Sequence, residues 1–176
     1  MERTELAAAL REHAYLEGDF VLRSGRRSSY YLDKYRFETR PELLAPLGEA
    51  IAEAAREAEP EAVRLAGPEL GAVALAASAS LASGLPFLIV RKEPKGYGTH
   101  NRLEGVSEEG ELVCLVEDVT TSGGAAVEAV EALREAGLVV RHAVCVVDRE
   151  EGGIDALARH GVRLEPLFRV SDLRTR

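Results

Sequence analysis

The sequence contains no tryptophan, one methionine and two cysteines in 176 residues, and aromatic residues make up only 5%. Cys114 and Cys145 stand alone in apolar, β-branched runs, a pattern that predicts buried thiols rather than a disulfide framework or a structural zinc site. No apolar run approaches the roughly 18 residues of a membrane span. The first residues lack the basic start and apolar run of a signal peptide, so we expect a cytoplasmic protein without a membrane partner.

Lysine is also scarce, because only Lys34, Lys92 and Lys95 occur among the 22 basic residues. Acidic residues number 30, which gives a net charge of −8. This sign disfavours a nucleic-acid partner, since such proteins need a positive surface. It leaves room for a small anionic ligand in a local basic pocket, and two of the three lysines fall within one short polar segment.

Strand and helix patterns alternate regularly after Pro60. The predicted strands are 62–66, 86–90, 111–117, 139–148 and 163–168. The predicted helices between them are 70–83, 124–136 and 154–160. Continuous apolar strands that alternate with helices indicate an α/β fold, with a central parallel sheet flanked by helices. Ligands bind such sheets beyond the carboxyl ends of the strands, so the segments that follow the strands are the candidate site.

Two other regions depart from this alternation. The N-terminal part predicts a helix over 4–17, short strands over 19–22 and 28–35, and a helix over 41–58. The connection 91–110 is polar and has no helical pattern. A connection of about twenty residues without secondary structure is usually functional or disordered.

The segment 116–125 carries the strongest chemical signal. A buried strand runs into Glu117 and Asp118, then into a turn rich in hydroxyls and glycines, and then into a helix. Backbone N–H groups at a helix N-terminus bind anions, and glycines let a phosphate approach closely. The two acids require a different partner, either the vicinal hydroxyls of a sugar or a divalent cation. Neither a Walker A loop nor a Gly-x-Gly-x-x-Gly fingerprint is present.

This segment closely resembles the phosphoribosyl pyrophosphate (PRPP) signature of type I phosphoribosyltransferases. Four further segments, 20–31, 91–98, 147–152 and 166–173, resemble the orotate phosphoribosyltransferases of that class, so the similarity spans about 20–173. The resemblance implies the type I phosphoribosyltransferase fold, as a single domain over 1–176. A small N-terminal hood, about 1–40, would cover a core of about 41–176.

The resemblance also implies the roles of individual residues. Lys95 and Asp118 would be catalytic, Thr121 and Arg149 would bind orotate, and Tyr31 would offer a ring face to the base. Residues expected to bind PRPP are Arg91, Lys92, Lys95, Glu117, Asp118, Val119, Thr120, Thr121, Ser122, Gly123, Gly124 and Ala125. The loop 67–71 would hold the pyrophosphate.

Two further expectations concern the metal and the assembly. Mg²⁺ is the expected cofactor, and it would be held mainly by PRPP, with no ligand directly from the protein. In the family, part of the loop equivalent to 91–105 reaches the neighbouring subunit's site, which implies a homodimer.

The sequence departs from the family pattern at three places. Tyr97 stands where bacterial members commonly have a histidine, and His100 lies three residues further on. Arg23 stands where many members have lysine. The acid pair is Glu-Asp instead of Asp-Asp, which leaves hydroxyl binding possible.

The implied function is transfer of the phosphoribosyl group from PRPP to orotate, which gives orotidine 5′-monophosphate and pyrophosphate. One alternative is the same transfer to another base, such as a purine. A different alternative is a PRPP-sensing transcriptional regulator on the same fold. A regulator would need a DNA-binding extension or a basic face, and we expect neither, since the segment before Phe20 is too short for a helix-turn-helix and the net charge has the opposite sign.

Overall fold

The computed structural model describes residues 1–21, 25, 27–93 and 102–174. Its helices are α1 (Arg3–Ala14), α2 (Tyr35–Glu38), α3 (Pro41–Ala58), α4 (Gly71–Ser83), α5 (Gly124–Glu135), α6 (Gly153–Arg159) and α7 (Val170–Leu173). Its strands are β1 (Tyr15–Val21), β2 (Arg27–Leu32), β3 (Arg64–Pro68), β4 (Phe87–Val90), β5 (Leu103–Glu104), β6 (Val113–Thr120), β7 (His142–Asp148) and β8 (Arg163–Arg169). No helix within these ranges is long and apolar enough to cross a membrane.

The larger sheet has six strands in the order β5-β4-β3-β6-β7-β8. All neighbours are parallel except β5, which runs antiparallel to β4. The prediction of an α/β fold with a central parallel sheet is therefore confirmed. Strand β5 was not predicted, because it is only two residues long and lies in the polar connection after β4.

Helices cover both faces of this sheet. Alternation along β6 sends Cys114 and Val116 into a core with α1, α3, α4 and α7. Val113 and Leu115 point into a second core with α5 and α6. Both cysteines are buried free thiols, as the sequence predicts, and Cys145 lies on the face opposite to Cys114. Because both faces are covered, ligands reach the sheet at the carboxyl ends of its strands.

The N-terminal region forms a hairpin of β1 and β2. The first helix ends at Ala14 rather than near residue 17, because Tyr15 already pairs with Leu32 in this hairpin and stacks on Tyr30 at 5.2 Å.

The second hairpin strand ends at Leu32, three residues before the predicted end, and the helical turn α2 follows. Phe37 in this turn is fully buried, so its packing against the core overrides the extended pattern of the preceding residues. The turn carries Lys34 and Glu38 to the end of the large sheet.

Candidate active site

Glu117 and Asp118 lie near the carboxyl end of β6 and are only 6% and 5% exposed. The strand was expected to end at Glu117 but continues to Thr120, so the two acids are strand residues whose side chains point to opposite faces. Asp118 points toward Lys34 and the start of α4. Glu117 lines the cavity formed by the turn after the strand.

The Glu117 carboxyl is buried, and its Oε1 has no hydrogen-bond partner among the described residues. Burial, together with the negative charge of Asp118, raises the pKa of Glu117 to about 8. Glu117 therefore keeps a proton at neutral pH and can donate a hydrogen bond as well as accept one.

The turn after β6 surrounds a cavity of about 100 Å³, lined by Glu117 and residues 119–126. Gly123 has a φ of +84°, a conformation that favours glycine, and α5 begins at the next residue. Pockets for drug-sized ligands are several times larger, so this cavity suits a compact group such as a phosphate. The structure thus brings together all of Glu117–Ala125 at one edge of the sheet.

Sequence analysis missed two residues beside this pair. Lys34 Nζ lies 2.6 Å from Asp118 Oδ2, and Glu38 follows one helical turn later. Burial opposes the charge on Lys34, but the Asp118 carboxylate outweighs it and raises the pKa of the ammonium. Burial, and then the charge of Asp118, raise the pKa of the Glu38 carboxyl well above its ordinary range. The sequence predicts a strand over 28–35 and no element over 36–40, so it gave no signal that Lys34 and Glu38 reach the acid pair.

Gly71 is the first residue of α4 and leaves the space that this ion pair occupies. A Cβ atom at Gly71 would overlap the Asp118 carboxylate and would lie 2.7 Å from Lys34 Nζ. The start of α4 and the acid pair are therefore in direct contact.

The loop 67–71 also contacts the start of the basic segment. The Glu69 backbone N–H donates to Val90 O at 2.8 Å, and its carboxylate accepts a hydrogen bond from the Lys92 backbone N–H at 2.6 Å. Arg91 follows β4, and its Nη1 lies 3.6 Å from Glu104 Oε1. Arg91 and Lys92 therefore leave the sheet next to the loop expected to hold pyrophosphate.

Four residues named from the sequence lie outside the described ranges. They are Arg23, Lys95, Tyr97 and His100.

Arg149 directly follows β7, beside the end of β6. Its backbone N–H donates to Thr120 O at 2.9 Å, and its guanidinium Nε donates to Tyr30 OH at 3.2 Å. The guanidinium lies 4.9 Å from the centre of the Tyr30 ring and 3.1 Å from Glu151 Oε1. Tyr30 thus contacts Arg149. Tyr31, which was expected to offer a ring face to the base, faces the opposite side of the strand and packs on Phe20.

The Arg149 side chain borders a wider cavity of about 460 Å³. Its lining is mostly polar and consists of Arg27, Ser28, Ser29, Tyr30, Arg149, Glu150, Glu151, Val170 and Arg174. Three guanidinium groups outnumber the two carboxylates of this lining, and a guanidinium beside a phenol ring can bind a planar anion.

Comparison with known proteins gives a consistent result. No family model matches the chain. The orotate phosphoribosyltransferase of Methanocella arvoryzae is 49% identical over 171 residues, which cover 97% of this chain and 96% of that protein. The crystal structure of the Aeropyrum pernix orotate phosphoribosyltransferase matches with a TM-score of 0.85 and 36% identity, over 96% of this chain and 95% of that one. The Mycobacterium tuberculosis enzyme in complex with PRPP matches with a TM-score of 0.79 and 30% identity, over 97% and 98% of the two chains.

The sheet, with its acid pair and phosphate-sized turn, defines the class of type I phosphoribosyltransferases. Within that class, the chain belongs to the orotate phosphoribosyltransferase family. The resemblance inferred from the sequence is thereby confirmed, as is the conclusion that the chain is a pentosyltransferase.

Proposed function

We propose that this chain transfers the 5-phosphoribosyl group from PRPP to orotate, which yields orotidine 5′-monophosphate and pyrophosphate in pyrimidine biosynthesis. The observation that carries this proposal is the junction of β6 and β7. There the hydrogen bond from Arg149 N–H to Thr120 O joins the start of the Arg149 segment to the strand that carries the acid pair and leads into the phosphate-sized turn. Arg149, which we assign to the planar orotate ring, thus follows the strand next to the one that leads into the sugar-phosphate turn.

PRPP occupies the edge of the sheet formed by β6 and its turn. Glu117 and Asp118 take the ribose hydroxyls, which donate hydrogen bonds to the Asp118 carboxylate and can both donate to and accept from the protonated Glu117 carboxyl. The turn from Val119 to Ala125 takes the 5-phosphate, since its cavity is compact and α5 presents its N-terminus there. The loop 67–71, with Arg91 and Lys92 beside it, takes the pyrophosphate.

Orotate lies against Arg149. A guanidinium fork matches a carboxylate and a carbonyl on one planar ring, and the Arg149 side chain is only 10% exposed, which strengthens its hydrogen bonds. Thr121, next to the carbonyl that anchors Arg149, supplies a hydroxyl between the base and the phosphate turn. Glu151 pairs with the guanidinium at 3.1 Å and so fixes its orientation.

The reaction breaks the bond between ribose C1 and the pyrophosphate oxygen, and the electron pair leaves with pyrophosphate. A ring nitrogen of orotate forms the new bond to C1, and the proton that it loses leaves with pyrophosphate or passes to solvent. Cations at the leaving group stabilise the transition state, and exclusion of water protects the electron-poor ribosyl centre. Lys95 supplies such a cation, together with Arg91 and Lys92, and Asp118 holds the ribose while C1 reacts.

Mg²⁺ accompanies PRPP and neutralises charge on its phosphate groups when bound. Among the described residues, no group of three His, Cys, Asp or Glu side chains is arranged to hold a metal ion. A metal that travels on the oxygens of PRPP needs no such cage, so the residues present are compatible with it.

The chain acts as one domain over 1–176 in a cytoplasmic homodimer, in which part of loop 91–105 contributes to the neighbouring site. This assembly is supported by the family to which the chain belongs. Each active site would then contain residues from both subunits.

The proposal is tested by the choice of base. Purified protein with Mg²⁺ and PRPP is expected to consume orotate, measured as loss of orotate absorbance. Parallel reactions contain adenine, hypoxanthine or uracil in place of orotate. Consumption of one of these bases instead would contradict orotate specificity. No turnover of any base, together with PRPP-dependent retardation of DNA in a gel, would favour the regulator.

A further inference from the structure

Lys34 lies between two parts of the proposed PRPP site. Its ammonium is 2.6 Å from Asp118, the acid that takes ribose hydroxyls, and it borders the start of α4, where loop 67–71 ends. A Cβ atom at Gly71 would be only 2.7 Å from this ammonium. The side chain is 35% exposed, so it is accessible to a ligand that enters between these two parts.

The loop 67–71 contains no basic side chain of its own. Its one charged residue, Glu69, is an acid, and its carboxylate accepts a hydrogen bond from the Lys92 backbone. A pyrophosphate group at this loop therefore requires a cation from elsewhere. The N-terminus of α4 adds only the partial charge of a helix dipole. Arg91 and Lys92 approach this loop from the end of β4, and the Lys34 ammonium lies against its other end, at Gly71.

The surrounding charges allow the ammonium to move. Asp118 from β6 and Glu38 from α2 act on Lys34, and the Tyr35 ring lies 5.5 Å from its Nζ. Burial and the negative charge of Asp118 raise the pKa of Glu38 to about 8, so a neutral Glu38 carboxyl adds no second negative charge to hold Lys34 in place.

We propose that Lys34 is a PRPP-binding residue whose ammonium moves from Asp118 to the pyrophosphate group of PRPP, while Asp118 accepts the ribose hydroxyls. This inference rests on the proposed function, because it requires PRPP as the ligand. It adds a cation to the site from the N-terminal hairpin region, 84 residues away from Asp118 in sequence. The ion pair of the free protein is then a resting arrangement that the substrate exchanges for two new contacts.

The test compares ligands that contain different parts of PRPP. Wild-type protein, Lys34→Met and Lys34→Arg are titrated calorimetrically, in Mg²⁺, with PRPP, inorganic pyrophosphate and ribose 5-phosphate. Lys34→Met is expected to weaken binding of PRPP and pyrophosphate by roughly 10- to 100-fold, the range for loss of one hydrogen bond to a charged group. Binding of ribose 5-phosphate stays the same or becomes tighter, because Asp118 loses a competitor. Lys34→Arg keeps the charge and retains most of the pyrophosphate affinity.

The matched control is Arg36→Ala in the same helical turn. Its guanidinium is half exposed and pairs with Asp33 at 3.2 Å, so all three affinities are expected to remain at the wild-type level. Lys34→Gln provides the same comparison where the methionine variant fails to fold.

Equal losses for PRPP and ribose 5-phosphate would overturn the inference, since Lys34 would then only hold Asp118 in place. Unchanged PRPP affinity in Lys34→Met would overturn it as well. Wild-type protein that binds PRPP with the predicted Lys34 dependence, yet does not consume orotate, would contradict the proposed base and support the inference. Wild-type protein that does not bind PRPP would contradict both.

Discussion

Lys34 Nζ and Asp118 Oδ2 are 2.6 Å apart, and this ion pair joins the N-terminal region to the carboxyl end of the central strand. The Asp118 side chain is almost fully buried, while that of Lys34 remains accessible. Asp118 alone pairs with this ammonium, and its negative charge also acts on the buried carboxyls of Glu38 and Glu117. Such a cluster keeps protons at neutral pH, because ionising every carboxyl in a buried space is costly. The position of Asp118 at the active site therefore depends on Lys34, which lies 84 residues earlier in the sequence.

Gly71→Ala tests the contact between α4 and the acid pair. The added Cβ would overlap the Asp118 carboxylate, so the acid must turn away from its position beside Lys34. A displacement of about 1 Å at a reacting centre costs roughly 100-fold, so we expect a loss of kcat/KM of this order. Alanine is a better helix former than glycine, so helix propensity does not lower the thermal midpoint. Unchanged kcat/KM in steady-state kinetics would contradict the position of Asp118.

Arg149→Ala is expected to impair the use of orotate. The guanidinium is the group that we assign to the base, so the KM for orotate rises by roughly 10- to 100-fold, while PRPP affinity changes little. Arg149→Lys recovers only part of the loss, because an ammonium lacks the planar fork. Arg163→Ala serves as the control, since Arg163 is exposed and pairs with Glu165 at the start of β8. Wild-type orotate kinetics in Arg149→Ala would count against the assignment.

Glu117→Gln tests the buried carboxyl through the pH dependence of stability. Folding raises the pKa of Glu117 from its ordinary 4.5 to about 8. Between these values the folded chain holds a proton that the unfolded chain has lost, so stability falls as pH rises through this window. Glutamine removes this contribution, and the variant gains on the order of 5 kcal/mol relative to wild type between about pH 4 and pH 9.

The measurement is urea denaturation at a series of pH values, and the difference between the two chains isolates Glu117. Glu135→Gln, on the exposed end of α5, is the control and keeps the wild-type profile. Parallel curves for wild type and Glu117→Gln would show that Glu117 ionises normally in the folded protein.

The shared active site is tested with hybrid dimers. Lys95→Ala and Asp118→Asn are each expected to lower turnover by roughly 100-fold or more, the scale for loss of a group that stabilises the transition state. If loop 91–105 serves the neighbouring site, mixed subunits regenerate one intact site in each hybrid dimer, and activity returns to about a quarter of the wild-type value. Continued inactivity after subunits exchange, followed with differently tagged chains, would mean that each site is complete within its own subunit.

The sequence was sufficient to predict the parallel sheet and the turn that follows its central strand. Both rest on local patterns that can be recognised without knowledge of the fold. These patterns are the long apolar strands between helices and the run from Glu117 to Ala125. The end of the second hairpin strand was wrong, because burial of Phe37 turns the chain into a helix at Tyr35. Lys34 and Glu38 were missed because Asp118, on which both act, is 84 and 80 residues away in sequence, respectively.

Two other details also depend on tertiary contacts. Tyr30 and Tyr31 are adjacent and chemically identical, so only the register of the hairpin decides which ring meets Arg149. Gly71 gives no sign in the sequence that an ion pair occupies the space beside its Cα. Such contacts between distant segments have no local pattern that a single sequence can display.

The central claim, transfer of phosphoribose from PRPP to orotate, is tested most directly by ³¹P NMR of the purified protein with PRPP, Mg²⁺ and orotate. The account predicts that the PRPP resonances disappear while those of orotidine 5′-monophosphate and inorganic pyrophosphate grow in equal amounts, and that Asp118→Asn suppresses both. Persistence of the PRPP signals with active, folded protein, or release of pyrophosphate together with free ribose 5-phosphate and no nucleotide, would contradict it.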